Sequence, residues 1–157
     1  MKIAEAATEF LNQSRIAVTG VSSKPEGHGS NAGYTRLRER GYTVFAVNPN
    51  ATEVEGDATY PDLASIPGGV DAVVIATSAA HAPGTMREAA DMGIRYVWMH
   101  RSFGAGSVSE DATRIGRDAG ILVIDGGCPL MFGKASDGGP RMMCRMMKLT
   151  GKVPREV

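Results

Sequence analysis

Four short stretches hold residue types suited to binding a charged, elongated ligand. Gly20-Val21-Ser22-Ser23-Lys24 follows the apolar run Ile16 to Val18, and Asn48-Pro49 follows Thr43 to Val47. Thr77-Ser78 follows Val70 to Ala76, and His100-Arg101-Ser102 follows Ile94 to Met99. Glycine lets a backbone approach a ligand closely, and free N–H groups in a loop and at a helix start point at anions. A buried strand, Gly20, a polar loop to Gly29 and a helical pattern from Ser30-Asn31 make the layout of a phosphate-binding βα turn. An ordinary βα connection without a ligand has the same layout.

The elements that must position these stretches follow from apolar pattern and punctuation. Ala4 to Asn12 reads as an opening helix packing through Phe10 and Leu11. A helix over Asn31 to Arg40 carries Tyr34 and Leu37 on one face and closes at Gly41 as its C′ residue. Val70 to Ala76 is an almost unbroken apolar run apart from Asp71, as suits a parallel strand covered on both faces. Between them, Gly56-Asp57 marks a turn and Leu63 to Ile66 a single helical turn. Pro83 suits the first position of a helix running to Met92, and Ser107 with Glu110 has capping-box spacing before a helix ending at Gly120. Ile121 to Ile124 is the last strand. The rhythm helix, glycine, apolar residue, strand recurs at Gly41-Tyr42, Gly93-Ile94 and Gly120-Ile121. Such alternation implies an α/β fold: a single three-layer Rossmann-like domain with an open, mainly parallel five-stranded sheet and right-handed crossovers. Its core spans about residues 15–132 of the 157, followed by a short helix over Arg141 to Leu149 and a loose tail from Val153.

Composition narrows the function. Seventeen basic residues balance seventeen acidic ones with no basic stripe, which argues against nucleic acid. No segment has the length and apolarity of a membrane span or the pattern of a signal peptide. Cys128 and Cys144 form neither a local metal motif nor a disulfide framework, so a reduced cytoplasmic setting is expected. His28, His81 and His100 fall on separate loops without metal-ligand spacing, and His81 is placed to cap the helix after it. No metal site and no catalytic group are assigned.

In an open parallel sheet, ligands sit outside the carboxyl ends of the strands, where the four polar stretches lie. A nicotinamide dinucleotide is the first candidate. However, the Gly20 loop lacks G-x-G-x-x-G spacing, and Asn48 stands where a ribose-binding acid is expected. A P-loop is absent as well. Dinucleotide redox chemistry, an NAD(P)-dependent oxidoreductase with an atypical phosphate loop, is therefore the alternative reading.

Several stretches together resemble the CoA-binding domain family, the Rossmann-like module that also forms the N-terminal domain of the succinyl-CoA synthetase α subunit. They are Ile16-Ala17-Val18-Thr19-Gly20-Val21-Ser22, Val47-Asn48-Pro49, Tyr60-Pro61-Asp62-Leu63 to Ile66-Pro67, and Val97-Trp98-Met99. The resemblance runs from about Arg15 to Phe132, and Gly127-Cys128-Pro129 resembles the Asn-Cys-Pro turn of the synthetase domain with Gly127 departing from the Asn. It implies that Gly20 and Ser22-Ser23-Lys24 hold the phosphates of coenzyme A and that Asn48-Pro49 border the adenosine. It further implies that Ala76-Thr77-Ser78 flank the nucleotide and that Met99-His100-Arg101 lie along the pantetheine or phosphates. A diphosphate and a 3′-phosphate suit backbone donors and a few cations, for which Lys24 and Arg101 are the candidates, with solvated surface charge the plainer use of each.

The expectation is a stand-alone cytoplasmic protein that binds CoA or an acyl-CoA without an intrinsic catalytic group, as a carrier, sensor or regulatory module. Two further ideas attach to single features. A Cys128 thiolate at the end of the last strand could exchange with a CoA disulfide, although a small buried residue in a tight turn is the simpler use. Met142, Met143, Met146 and Met147 suit core packing or, as an exposed stripe, a homodimer contact. A purely structural module with a vestigial crevice is the third reading.

Overall fold

The computed structural model describes residues 1–24, 29–101, 106–133, 146–147, 149–151 and 153–157. His28, Ser102, Cys144 and most of the expected Arg141 to Leu149 helix lie outside the described residues. The elements are α1 (Ile3–Leu11), β1 (Arg15–Thr19), α2 (Gly29–Glu39), β2 (Thr43–Val47), β3 (Glu53–Val54), β4 (Asp57–Tyr60), β5 (Ala72–Ile75), α3 (Ala82–Asp91), β6 (Tyr96–Met99), α4 (Glu110–Asp118), β7 (Leu122–Asp125) and one 3-10 turn (Pro129–Met131).

The α/β, Rossmann-like class is as expected. The sheet, however, has seven strands in the order β3-β4-β2-β1-β5-β6-β7. The five expected strands are all present and parallel, and β4 is parallel to β2. The strand count departs because Glu53–Val54 and Asp57–Tyr60 form a short hairpin on the β2 side, with β3 antiparallel to β4. These strands are half-exposed and carry no apolar run.

Residues alternate between two cores. Ile16, Val18, Val74, Trp98 and Ile124 pack under α1 and α2, while Ala17, Val73, Ile75, Val97 and Val123 pack under α3 and α4. Trp98 meets Phe10 edge-on at 5.3 Å between ring centres, and its indole N–H donates to the Gly126 carbonyl at 2.8 Å. Asp71 interrupts its apolar run for a local reason. Its carboxylate accepts from Arg15 N–H at 3.0 Å, and its own N–H donates to Arg15 O at 2.9 Å, fixing the start of β1.

Four expectations need correction. The Leu63 to Ile66 stretch is a turn closed by Ile66 N–H on Leu63 O, not a helical element. Ser109, not Ser107, caps α4, accepting from Ala112 N–H at 3.2 Å; Ser107 is buried and donates its hydroxyl to Thr77 O. His81 precedes α3 without a side-chain cap and instead pairs its Nδ1 with the Ser78 hydroxyl at 2.8 Å. The tail is not loose: Val153 is fully buried, the backbone of Glu156 pairs antiparallel with that of Lys2, and Arg155 O accepts from Ile3 N–H at 3.1 Å.

Candidate functional site

Because β1, β2, β5, β6 and β7 are mutually parallel, their carboxyl ends share one edge. Strand order reverses between β1 and β5, since β1 leads to β2 on one side and pairs with β5 on the other. The expected binding stretches all emerge at this edge, and the switch point brings two of them into contact. Gly20 has φ +76°, and a Cβ there would lie 2.7 Å from Ala76 O and 2.9 Å from Thr77 N. Glycine is therefore required by the close approach of one loop to the next as well as by the turn. Thr19 Oγ1 accepts from Ala76 N–H at 3.1 Å and ties the same two loops.

The loop after β1 is internally braced. Ser22 N–H donates to Asn31 Oδ1 at 2.9 Å, and Asn31 Nδ2 returns a bond to Ser22 O at 2.8 Å. Ser22 Oγ accepts from Lys24 N–H at 3.0 Å, and the Ser30 hydroxyl donates to Gly20 O at 2.9 Å. Asn48 joins in: Nδ2 donates to Val21 O at 2.9 Å and Oδ1 accepts from Asn50 N–H at 2.8 Å. Its side chain thus shapes the edge, and what faces outward there are exposed Ser23, Lys24 and Pro49. Ser23 and Pro49 line one open depression of about 460 Å³ with Asn50 to Glu53.

The ends of β5 and β6 are different in kind. Ala76 and His100 line a narrow, apolar-walled cleft beneath the first turns of α2, together with Gly29, Gly33 and Cys128. The cleft has room for roughly one water. Burial pushes the His100 imidazole pKa below its ordinary value, favouring the neutral ring. Thr77 Oγ1 and Arg101 Nε are buried with no hydrogen-bond partner. Arg101 is anchored through its backbone, donating N–H to Gly127 O at 2.8 Å. Gly106, at φ +64°, packs so closely that a Cβ would fall 2.7 Å from His100 O. Ser78 is exposed, and Met99 is fully buried in the core beneath α3 and α4. Cys128 is 8% exposed and belongs to the opposite core.

Three contributors were not singled out from the sequence as site residues: Asn31, Ser30 and Glu55, whose Oε1 accepts from Asn31 Nδ2 at 2.9 Å. Ser30 and Asn31 stand at the recognised helix start, where a polar pair signals a cap rather than a loop brace. Among the described residues, no group of three or more histidine, cysteine or carboxylate side chains could hold a metal ion, and no helix is long and apolar enough to cross a membrane.

Comparison with known proteins adds to this geometry. The CoA binding domain model matches residues 14–134, close to the interval over which the sequence resemblance runs. An uncharacterized protein of Bacillus subtilis strain 168, YneT, is 29% identical over 117 residues, covering 74% of this chain and 83% of its own. A hypothetical protein from Pyrococcus horikoshii OT3 superposes with a TM-score of 0.74 at 27% identity, covering 81% of this chain and 87% of the other. A dinucleotide-forming acetyl-coenzyme A synthetase 1 of Ca. Korarchaeum cryptofilum superposes with a TM-score of 0.59 at 26% identity, over 73% of this chain but 26% of the synthetase. With the family model spanning residues 14–134, most of the chain, this protein belongs to the CoA binding domain family.

Proposed function

We propose that the protein binds coenzyme A, or an acyl thioester of it, at the carboxyl edge of the sheet and holds it for a partner or reports its level. The observation that carries the reading is the pair of buried, unpartnered polar atoms at the ends of neighbouring strands, Thr77 Oγ1 and Arg101 Nε. An unsatisfied buried polar atom costs about 1–3 kcal/mol, so a ligand oxygen or a bridging water at this position would recover free energy that the protein alone forgoes. A ligand with a diphosphate and a 3′-phosphate fits the remaining chemistry. Lys24 and Arg101 supply positive charge, Ser23 and the start of α2 supply donors, and the depression beside Pro49 offers room for an adenosine. In this reading Gly20, Ser22 and Asn48 shape the edge, and Ala76, Ser78, Met99 and His100 flank or underlie it. The protein acts in the cytoplasm as a carrier or sensor, and exposed Met146 contributes to a contact between two copies, while Met147 packs in the core.

Thermal unfolding tests the reading, with CoA, acetyl-CoA, NAD, NADP and ATP added separately at about 1 mM. A ligand at a hundred times its dissociation constant stabilises a fold by about 2.7 kcal/mol, a shift of several degrees. The midpoint is expected to rise with CoA or acetyl-CoA. A rise with NAD or NADP and none with either thiol cofactor would replace this reading with the dinucleotide one.

A further inference from the structure

The hairpin at the sheet edge has a turn residue that its backbone does not favour. The two residues joining β3 to β4, Glu55 and Gly56, have φ of +49° and +80°. Two-residue hairpin loops with both φ values positive select Asn, Asp or Gly at the first position. Glu55 is the sole residue other than glycine with positive φ among the described residues. A long side chain held in that region marks a place where something else over-determines the conformation.

What over-determines it is a relay into the loop after β1. Glu55 Oε1 accepts from Asn31 Nδ2 at 2.9 Å, and Glu55 O accepts from Arg38 Nη1 at 2.8 Å. Asn31 is 3% exposed, and its amide is committed to Ser22 on one side and Glu55 on the other. The orientation of that amide is unambiguous, because Ser22 N–H needs an oxygen and Ser22 O needs an N–H. Ser22 Oγ in turn accepts from Lys24 N–H. The path Glu55, Asn31, Ser22, Lys24 thus runs from the sheet edge to the loop that offers Ser23 and Lys24 to solvent. Asn or Asp at position 55 would suit the turn, but each is one methylene shorter than Glu.

We propose that Glu55 and Asn31 are positioning residues for the ligand loop: the edge hairpin clamps the Ser22 to Lys24 segment, through Asn31, in the conformation that receives a phosphate. This inference rests on the CoA reading above. It assigns the hairpin a role in affinity, beyond extending the sheet.

The decisive variant is Glu55→Asn, which improves the turn and withdraws the clamp. The unliganded protein is expected to unfold at or above the wild-type midpoint, while its dissociation constant for CoA by calorimetric titration rises about tenfold. Without ligand, hydrogen exchange at the Ser22 amide quickens about tenfold, while that at Ala17 in β1 is unchanged. Glu55→Gln keeps an oxygen at the same reach and is expected to bind within about twofold of wild type. A merely structural role would move stability and affinity together. If wild type binds CoA and Glu55→Asn binds it equally well, or Glu55→Gln loses as much as Glu55→Asn, the clamp is refuted and the CoA reading stands. Should wild type itself fail to bind CoA, the CoA reading falls and this role falls with it.

Discussion

Two groups of loops leave the same edge of the sheet on either side of the switch point and use their polar groups in opposite ways. After β1, Ser22, Ser30 and Asn31, joined by Asn48 from the end of β2, direct their side chains at the loop's backbone, leaving a shaped, internally bonded turn. After β5 and β6, Thr77 and Arg101 each bury a polar atom without a protein partner. The first region is built before any ligand arrives. The second keeps hydrogen-bonding capacity that no protein group uses. A preformed cradle next to an incomplete one is what a binding site needs: little ordering to do on one side, and a free-energy gain for the ligand on the other.

The contrast is broken most severely at the seam. Gly20→Ala places a methyl 2.7–2.9 Å from the Ala76 and Thr77 backbone at a positive φ. The loss should be about 2–5 kcal/mol in urea unfolding; a change below about 0.5 kcal/mol would mean that the two loops are not in contact. A smaller effect is expected where α2 meets the hairpin. Asp57 accepts from the Tyr34 hydroxyl and from Arg38 Nη1, each at 2.6 Å, and these bonds hold its carboxyl pKa below the ordinary value. With a folded pKa below the unfolded one, that stability is present above about pH 4 and is lost as pH falls through the folded value. Asp57→Asn should cost about 1 kcal/mol at pH 7, allowing for partial solvent exposure, and should flatten that part of the acid-unfolding profile. A variant with the wild-type acid profile would show that the carboxylate does not brace the hairpin.

Thr77→Val sharpens the comparison from the other side. Removing an unpartnered buried hydroxyl should leave the unliganded protein as stable or up to about 1 kcal/mol more stable, the reverse of the usual trend for a core substitution. A clear destabilisation would mean that the hydroxyl is already satisfied. His100 carries the smallest effect. Burial depresses its pKa, so the unfolded chain binds the proton more readily, and stability should decline as pH falls below about 6.5 and level off beneath the depressed value. Comparing wild type with His100→Gln between pH 7 and 5 checks this; equal slopes would show that His100 is not the group responsible.

Much of the framework was readable from residue pattern because it rests on local rules. The apolar runs around Ile16, Val73 and Val97 are buried on both faces of the sheet. Gly41, Gly93 and Gly120, with φ of +93°, +72° and +76°, stop the preceding helices in the left-handed conformation that their placement implied. Gly56-Asp57 reads as a turn, but the strands beside it are not legible, because Glu53–Val54 and Asp57–Tyr60 are short and without an apolar run and because Glu55 is not the residue that such a turn selects. Ser107 and Ser109 both offer a hydroxyl near the start of α4. Which of them caps is decided by Thr77 O, a partner thirty positions away, that takes the Ser107 hydroxyl. Val153 became core through the space beside Gly127, where a Cβ would lie 3.3 Å from it. Asn31 shows the same limit within the site. Its type and position suggested a helix start, whereas its role depends on Glu55, which the chain brings near only through the hairpin.

The central claim is that the incomplete side of the edge is completed by coenzyme A. Calorimetric titration of CoA into wild type and Arg101→Met, with unliganded unfolding midpoints measured in parallel, tests it most directly. Methionine keeps an apolar stem but removes the buried Nε and the charge. The account predicts saturable CoA binding by wild type and about tenfold weaker binding by Arg101→Met, with an unliganded midpoint no lower than wild type. Undiminished CoA affinity in Arg101→Met, or a wild-type protein that takes up NAD and not CoA, would contradict it.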